Sequence, residues 1–232
     1  MQHIHERSGS IARSIAGRRR RFTTMMTLGA TLSVLSLTGC QAAYFLTADE
    51  TREVKAEYAR IGTNKVAVVV WADRYTLDVD PKARHRIGEA VTYELKRHLP
   101  KAQFVPAREV TELQTSGLDW QSMTNQQLAE RLGCDLILRI DLLEYTTRAA
   151  DTRELRKGRV EASINLYEGG EGARIDPIYT AEVTATYPPA GKHAIADVTD
   201  YDLLRASIEQ FAQETAKKFY DHRVSRRGPE SK

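Results

Sequence analysis

The chain moves between two hydrophobic periods, one of helices and one of strands. "KVAVVVW" (Lys65–Trp71) is an unbroken β-branched run, the mark of a strand buried on both faces. Ile87, Val91, Leu95 and Leu99 then recur at every fourth position before Pro100, which predicts a helix with one apolar stripe and a firm stop. Asp80-Pro81 is expected to open it, Asp as N-cap and Pro at the first helical position. "AQFVPA" predicts a short strand and "AREVTELQ" a short helix. Thr124-Asn125-Gln126-Gln127 is a capping box for a helix to Leu132, with Gly133 as its stop. "CDLILRIDLLEY" reads as a third strand. "RVEASINLY" alternates, with Val160, Ala162, Ile164 and Leu166 on one face and Glu161, Ser163, Asn165 and Tyr167 on the other. Gly169-Gly170-Glu171-Gly172 reverses the chain, and Ala181, Val183, Ala185 and Tyr187 repeat the alternation on the way back. A long helix from about Asp200 to His222 closes the pattern, its stripe made of Leu204, Ile208, Phe211, Thr215 and Phe219.

The predicted order is β-α-β-α-α-β-β-β-α, an α/β fold with a mixed sheet and helices packed on it. Crossovers join the early strands and hairpins the late ones. The expected organisation is a signal peptide (residues 1–39), a stalk (40–64), one α/β domain (65–222) and a disordered tail (223–232). Within the stalk, Thr47 or Asp49 is expected to cap a short helix to about Arg60, with Gly62 ending it.

The amino terminus follows a different logic. Arg18–Arg21 is a basic block, and no charge follows until Asp49. The intervening "FTTMMTLGATLSVLSLTGC" is apolar but rich in Thr, Ser and Gly, the order of a secretory signal. Leu37-Thr38-Gly39-Cys40 resembles the lipobox of bacterial lipoproteins, which implies cleavage between Gly39 and Cys40 and a lipid on the Cys40 sulfur. The alternative is a retained amino-terminal anchor with an incidental cysteine. Arg19-Arg20-Arg21-Phe22 also resembles a twin-arginine export core, although any basic block contains that pair.

Processing changes the charge. The first 39 residues hold six arginines and one glutamate, a net of +5, so the whole-chain +3 becomes −2. A nucleic-acid partner is therefore not expected, because such a protein keeps its basic patch. With Cys40 acylated, Cys134 has no partner for a disulfide and is expected to be a small buried hydrophobe.

Signatures of hydrolases, zinc proteases and phosphate-binding loops are missing from the sequence. Asp73, Asp78 and Asp80 follow the first strand and are weighed as a cation site against a helix cap with solvated neighbours. The six histidines show no ligand spacing. No catalytic residue, metal or cofactor is expected.

"KVAVVVW" leading to "ELKRHLP", then "AQFVPAREV", then "LAERLGCDLILRIDLLEY" resemble segments of one fold group. It comprises the amino-terminal domain of TolB, the lipoprotein activators of penicillin-binding proteins and the curli-secretion lipoprotein CsgG. The resemblance covers roughly residues 65–220 and implies the fold, with no functional residue carried over. The disordered tether of the activators and the transmembrane hairpins of the curli pore have no full counterpart here.

The leading expectation is a lipid-anchored module in the bacterial envelope, facing the periplasm and docking another envelope protein. Gln41 resembles an outer-membrane sorting residue. The alternatives are a subunit of an envelope secretion or transport complex, and a hydrolase with no recognisable motif. Glu161 and Tyr167 are the candidate partner-binding residues, chosen because the alternation turns them outward, and their replacement is expected to spare stability. One consequence is direct. Cys40→Ala should abolish lipid labelling and leave an unprocessed precursor; normal processing and membrane retention of that variant would contradict a lipidated Cys40.

Overall fold

In a computed structural model of the chain, the structure describes residues 51–148, 156–189 and 198–225. Gly39 and Cys40 lie outside them, as does the start of the expected stalk helix.

Strand β1 (Thr51–Val54) is followed by β2 (Lys65–Trp71), helices α1 (Arg74–Val79) and α2 (Ala83–His98), and the short β3 (Gln103–Phe104). Helix α3 (Ala107–Thr115), a 3-10 turn (Trp120–Ser122) and α4 (Asn125–Leu132) lead to the long strands β4 (Leu136–Arg148), β5 (Arg156–Glu168) and β6 (Tyr179–Tyr187). Helix α5 (Asp200–Lys217) and β7 (His222–Ser225) complete the order. The main sheet runs β3-β2-β4-β5-β6, while β1 pairs with β7 in a separate ribbon. Strand β2 is parallel to β3 and β4, and β5 is antiparallel to β4 and β6. This is the mixed α/β sheet that the sequence pattern predicts.

The β-branched run of β2 is central because both its faces are covered. Val66, Val68 and Val70 join Leu136, Leu138, Ile140 and the alternating apolar residues of β5 and β6 in one core, roofed by α2 and α5. Ala67, Val69 and Ile137 face the other way, toward Val110 and Leu113 of α3, Trp120, and Leu128, Ala129 and Leu132 of α4. Cys134 belongs to this second core, and burial pushes its thiol up to about 11. It is a packed hydrophobe and a poor nucleophile.

Local rules place the small elements. Thr124 and Gln127 form a reciprocal capping box on α4, and Gly133 ends that helix at φ 58°, a conformation that glycine adopts without strain. At Gly158, a Cβ would stand 2.8 Å from the Leu203 carbonyl oxygen, so the missing side chain lets β5 lie against α5.

Three expectations are corrected. Asp80 does not open the long helix. The segment that carries the three aspartates forms α1, with Asp73 as N-cap, its carboxylate accepting from Thr76 N at 2.7 Å. Asp80 instead closes α1 and turns inward. Its Oδ2 accepts from Tyr145 Oη at 2.7 Å and Arg86 Nη1 at 2.8 Å, and its Oδ1 from Lys82 N at 3.0 Å. Asp78 is exposed, so the three aspartates serve separate ends. Among the described residues no group of three His, Cys, Asp or Glu is placed to hold a metal.

Second, Thr51–Val54 is a strand rather than part of a helix, and ordered packing begins well before Lys65. Tyr58 packs on the first core, and Ile61 is 1% exposed. Third, the closing helix stops at Lys217, and Val224 and Ser225, expected in a tail, lie in β7. One cause links the last two. Lys218 O accepts from Tyr58 N at 2.9 Å, Lys218 Nζ and Tyr179 Oη donate to Glu57 at 2.6 and 2.7 Å, and the Tyr58 ring meets Tyr179 and Phe219. Lys218, with Tyr179 behind it, holds the Glu57 carboxyl below its usual range.

The Asp80 cluster ties the crossover between β2 and α2 to β4. Tyr145→Phe removes one of its donors without changing shape, and should lower unfolding free energy by about 1–2 kcal/mol. A urea melt with an unchanged midpoint would show that the tie contributes nothing.

Candidate functional site

On the second sheet face, helix α3 lies against β2, and α4 lies against the end of β4 and β5 near Ile137 and Tyr167. From Arg139 onward, the outward residues of β4, β5 and β6 have no helix against them among the described residues. Pairing stacks them in rows: Arg139, Asn165 and Thr180; Asp141, Ser163 and Glu182; Glu144, Glu161 and Thr184; Thr146, Arg159 and Thr186. Thr180, Glu182 and Thr184 are exposed.

A hydrogen-bond network runs across these rows. Arg139 Nε donates to both oxygens of Asp141, at 2.8 and 3.0 Å. Asn165 Nδ2 donates to Asp141 Oδ2 at 3.4 Å and to Ser163 Oγ at 3.3 Å, and Thr180 Oγ1 donates to Asn165 Oδ1 at 2.9 Å. Farther along, Arg159 is held between Glu161 and Glu144, with Nε 2.7 Å from Glu144. Those carboxylates, Glu161 first, raise the guanidinium above its ordinary range. A register shift between Leu142 and Glu144 leaves Leu143 outside the pairing and 59% exposed. Such a bulge turns a side chain out of the ladder.

The β2 end of the face is aromatic. Trp71 and Trp120 meet at 4.8 Å, Arg139 lies 4.2 Å over Trp71, and Arg84 lies 5.1 Å over Trp120. Burial lowers the Arg84 guanidinium from its ordinary value. Each arginine carries its guanidinium over an indole ring, a cation–π contact.

Glu161 and Tyr167 both belong to this face, about three strand pairs apart, and they differ in kind. Glu161 is a partner of Arg159 in the charged row. Tyr167 is half-buried and packs on the second core, where its strand pairs it with Ile137. The expectation that its loss would spare stability is corrected on that ground: truncating a packed ring removes apolar contact. Sequence reasoning missed Trp71, Trp120, Arg139 and Asp141. Arg139 and Asp141 were signalled, since they interrupt "LILRIDLL" at every second position. The tryptophan pair is a long-range contact with no local signature.

No protein-family model matches this chain, and no curated protein does. Solved structures do. PelC of Paraburkholderia phytofirmans, a dodecamer, is 12% identical with a TM-score of 0.40, over 73% of this chain and 98% of that one. Lipoprotein GNA1162 of Neisseria meningitidis is 17% identical, also at 0.40, over 60% and 89%. A putative lipoprotein from Caulobacter crescentus is 12% identical at 0.32, over 66% and 82%. Bacterial lipoproteins are thus among the structures that this chain is similar to.

Proposed function

We propose that this protein is a lipid-anchored module of the bacterial cell envelope that docks another envelope protein through the open face of β4, β5 and β6. The observation that supports it most is the make-up of that face: a hydrogen-bonded polar field with an arginine-tryptophan cluster at one border and exposed Leu143 at its bulge. Arginine and tryptophan dominate binding energy at protein interfaces, and a polar surround suits a partner that is released into water. The lipobox supplies the anchor, with the domain facing the periplasm and Gln41 favouring the outer membrane. The kinship with the TolB, CsgG and penicillin-binding-protein-activator group belongs to this reading. So do the expectations of no catalysis, no cofactor and no nucleic-acid partner.

Eleven residues carry the chain from Cys40 to Thr51, at most about 40 Å when extended. The partner surface therefore lies near the anchoring membrane.

The test is crosslinking in whole cells, followed by identification of what is captured. Glu161→Arg reverses the charge beside Arg159 and should cut capture about tenfold, while stability changes by less than about 1 kcal/mol because the lost ion pair is partly exposed. Tyr167→Ala should also reduce capture, at a cost of about 1–2 kcal/mol in stability. Undiminished capture by the folded Glu161→Arg variant would refute this face as the docking surface. Capture of copies of the same chain alone, in a ring, would favour the secretion-complex reading.

A further inference from the structure

The main sheet ends on β3 at one edge and on β6 at the other. An edge strand presents a row of unpaired N–H and C=O groups, and soluble proteins guard such rows against stray pairing. Brevity guards β3, which has two residues. Strand β6 has nine, paired with β5 from Tyr179 to Tyr187 without a bulge. It contains no proline, lysine or arginine, and Glu182 is its one charged residue. Among the described residues, no backbone hydrogen bond reaches β6 from its outer side. A long, regular and nearly uncharged edge is a template for another strand.

The residues of that edge point to which strand. "YTAEVTATY" reads almost the same in both directions about Val183. Tyr179 mirrors Tyr187, Thr180 mirrors Thr186 and Ala181 mirrors Ala185; only Glu182 and Thr184 differ. Two copies of β6 set antiparallel about a two-fold axis at Val183 therefore place like beside like. Thr180 stands opposite Thr186, Ala181 opposite Ala185 and Val183 opposite itself, pairings that suit a sheet. Glu182 meets Thr184 of the second copy, so no carboxylate faces a carboxylate. An axis at Glu182 would set the two glutamates against each other, and an axis at any other residue shortens the ladder. Because the axis passes through a residue, odd positions meet odd ones and even positions meet even ones. The core side of one sheet then continues the core side of the other.

We propose that β6 pairs with β6 of a second copy of this chain, joining the two sheets into one. The interface uses the same patch twice, so it closes as a pair and does not grow into a ring or a fibre. Nine residues in antiparallel register exchange about eight to ten backbone hydrogen bonds. Tyr179 and Ala181 pack on the first core yet remain only half-buried in one chain, and the second strand gives them cover. The pairing uses the edge of β6 and leaves its polar face open, so it is independent of the proposed function.

The test is sedimentation of the purified full chain in density-matched detergent, with micelles in excess. The chain should sediment as two copies at concentrations up to about 100 μM. Charge at the exposed position 184 then reads the register. Thr184→Lys sets opposite charges across the seam at both symmetric places and should tighten the pair about fivefold, whereas Thr184→Glu sets like charges there and should weaken it about fivefold. Circular dichroism checks that both variants fold. Oxidative crosslinking reads the register independently: a mixture of Glu182→Cys and Thr184→Cys chains should crosslink about tenfold faster than either chain alone. The wild-type chain, with Cys134 buried, sets the background. Four results would overturn the proposal: a wild-type chain that stays single throughout, species that keep growing with concentration, charge variants that leave the equilibrium unmoved or shift it in the opposite sense, or a mixture that crosslinks no faster than either chain alone.

Discussion

Unequal covering of the two faces of one sheet is the constraint from which the rest follows. Strands β2 and β4 sit in the middle, and β2 is apolar on both sides, so each of its faces must lie against something. The available helices divide unevenly. Helices α2 and α5 roof one face, whereas α3 and α4 are short and close off only part of the other, along β2 and at the Ile137–Tyr167 end of β4 and β5. Strands β5 and β6 are consequently apolar on one side and polar on the other. That polarity is the physical condition for leaving half a sheet face in water, and it makes the face available to a partner.

Two polar ties keep this arrangement in register. Asp80 joins the crossover to β4 through Arg86 and Tyr145, with its carboxylate nearly enclosed. A buried charge of this kind contributes little net stability but penalises any packing that separates its partners. At the other tie, Glu57 joins the segment after β1 to Tyr179 and to Lys218 just beyond α5. The segment after β1 thus enters the fold through contacts with β6 and the end of α5, and the ribbon of β1 and β7 extends the same junction.

Most of the sheet was legible in the sequence because its signals are local. The β-branched run of β2, the capping box at Thr124 and the period-two alternation of β5 and β6 each follow from neighbouring residues alone. What was not legible depends on distant residues. Asp80 beside Pro81 satisfies every local rule for an N-cap, but the tyrosine and arginine that draw it inward lie 65 and 6 positions away. The segment 51–61 has a helix-like composition, and pairing with β7 and packing on Phe219 override that propensity. The candidate site divides in the same way. Alternation alone turns Glu161 outward; that Tyr167 is also a packing residue, and that Arg139 lies on an indole ring, required the second core to be in place.

The central claim is that the open face of β4, β5 and β6 is covered by a partner in the cell, and accessibility measures it most directly. Thr184→Cys places a thiol on the exposed β6 strand of that face, Lys101→Cys places one on an exposed loop away from it, and buried Cys134 gives a low background. Labelling with a small membrane-permeant maleimide would be compared between intact cells and the purified protein. The account predicts that the thiol at 184 is protected in cells and reactive after purification, while the thiol at 101 reacts in both. Equal labelling at 184 in cells and in the purified protein would contradict it.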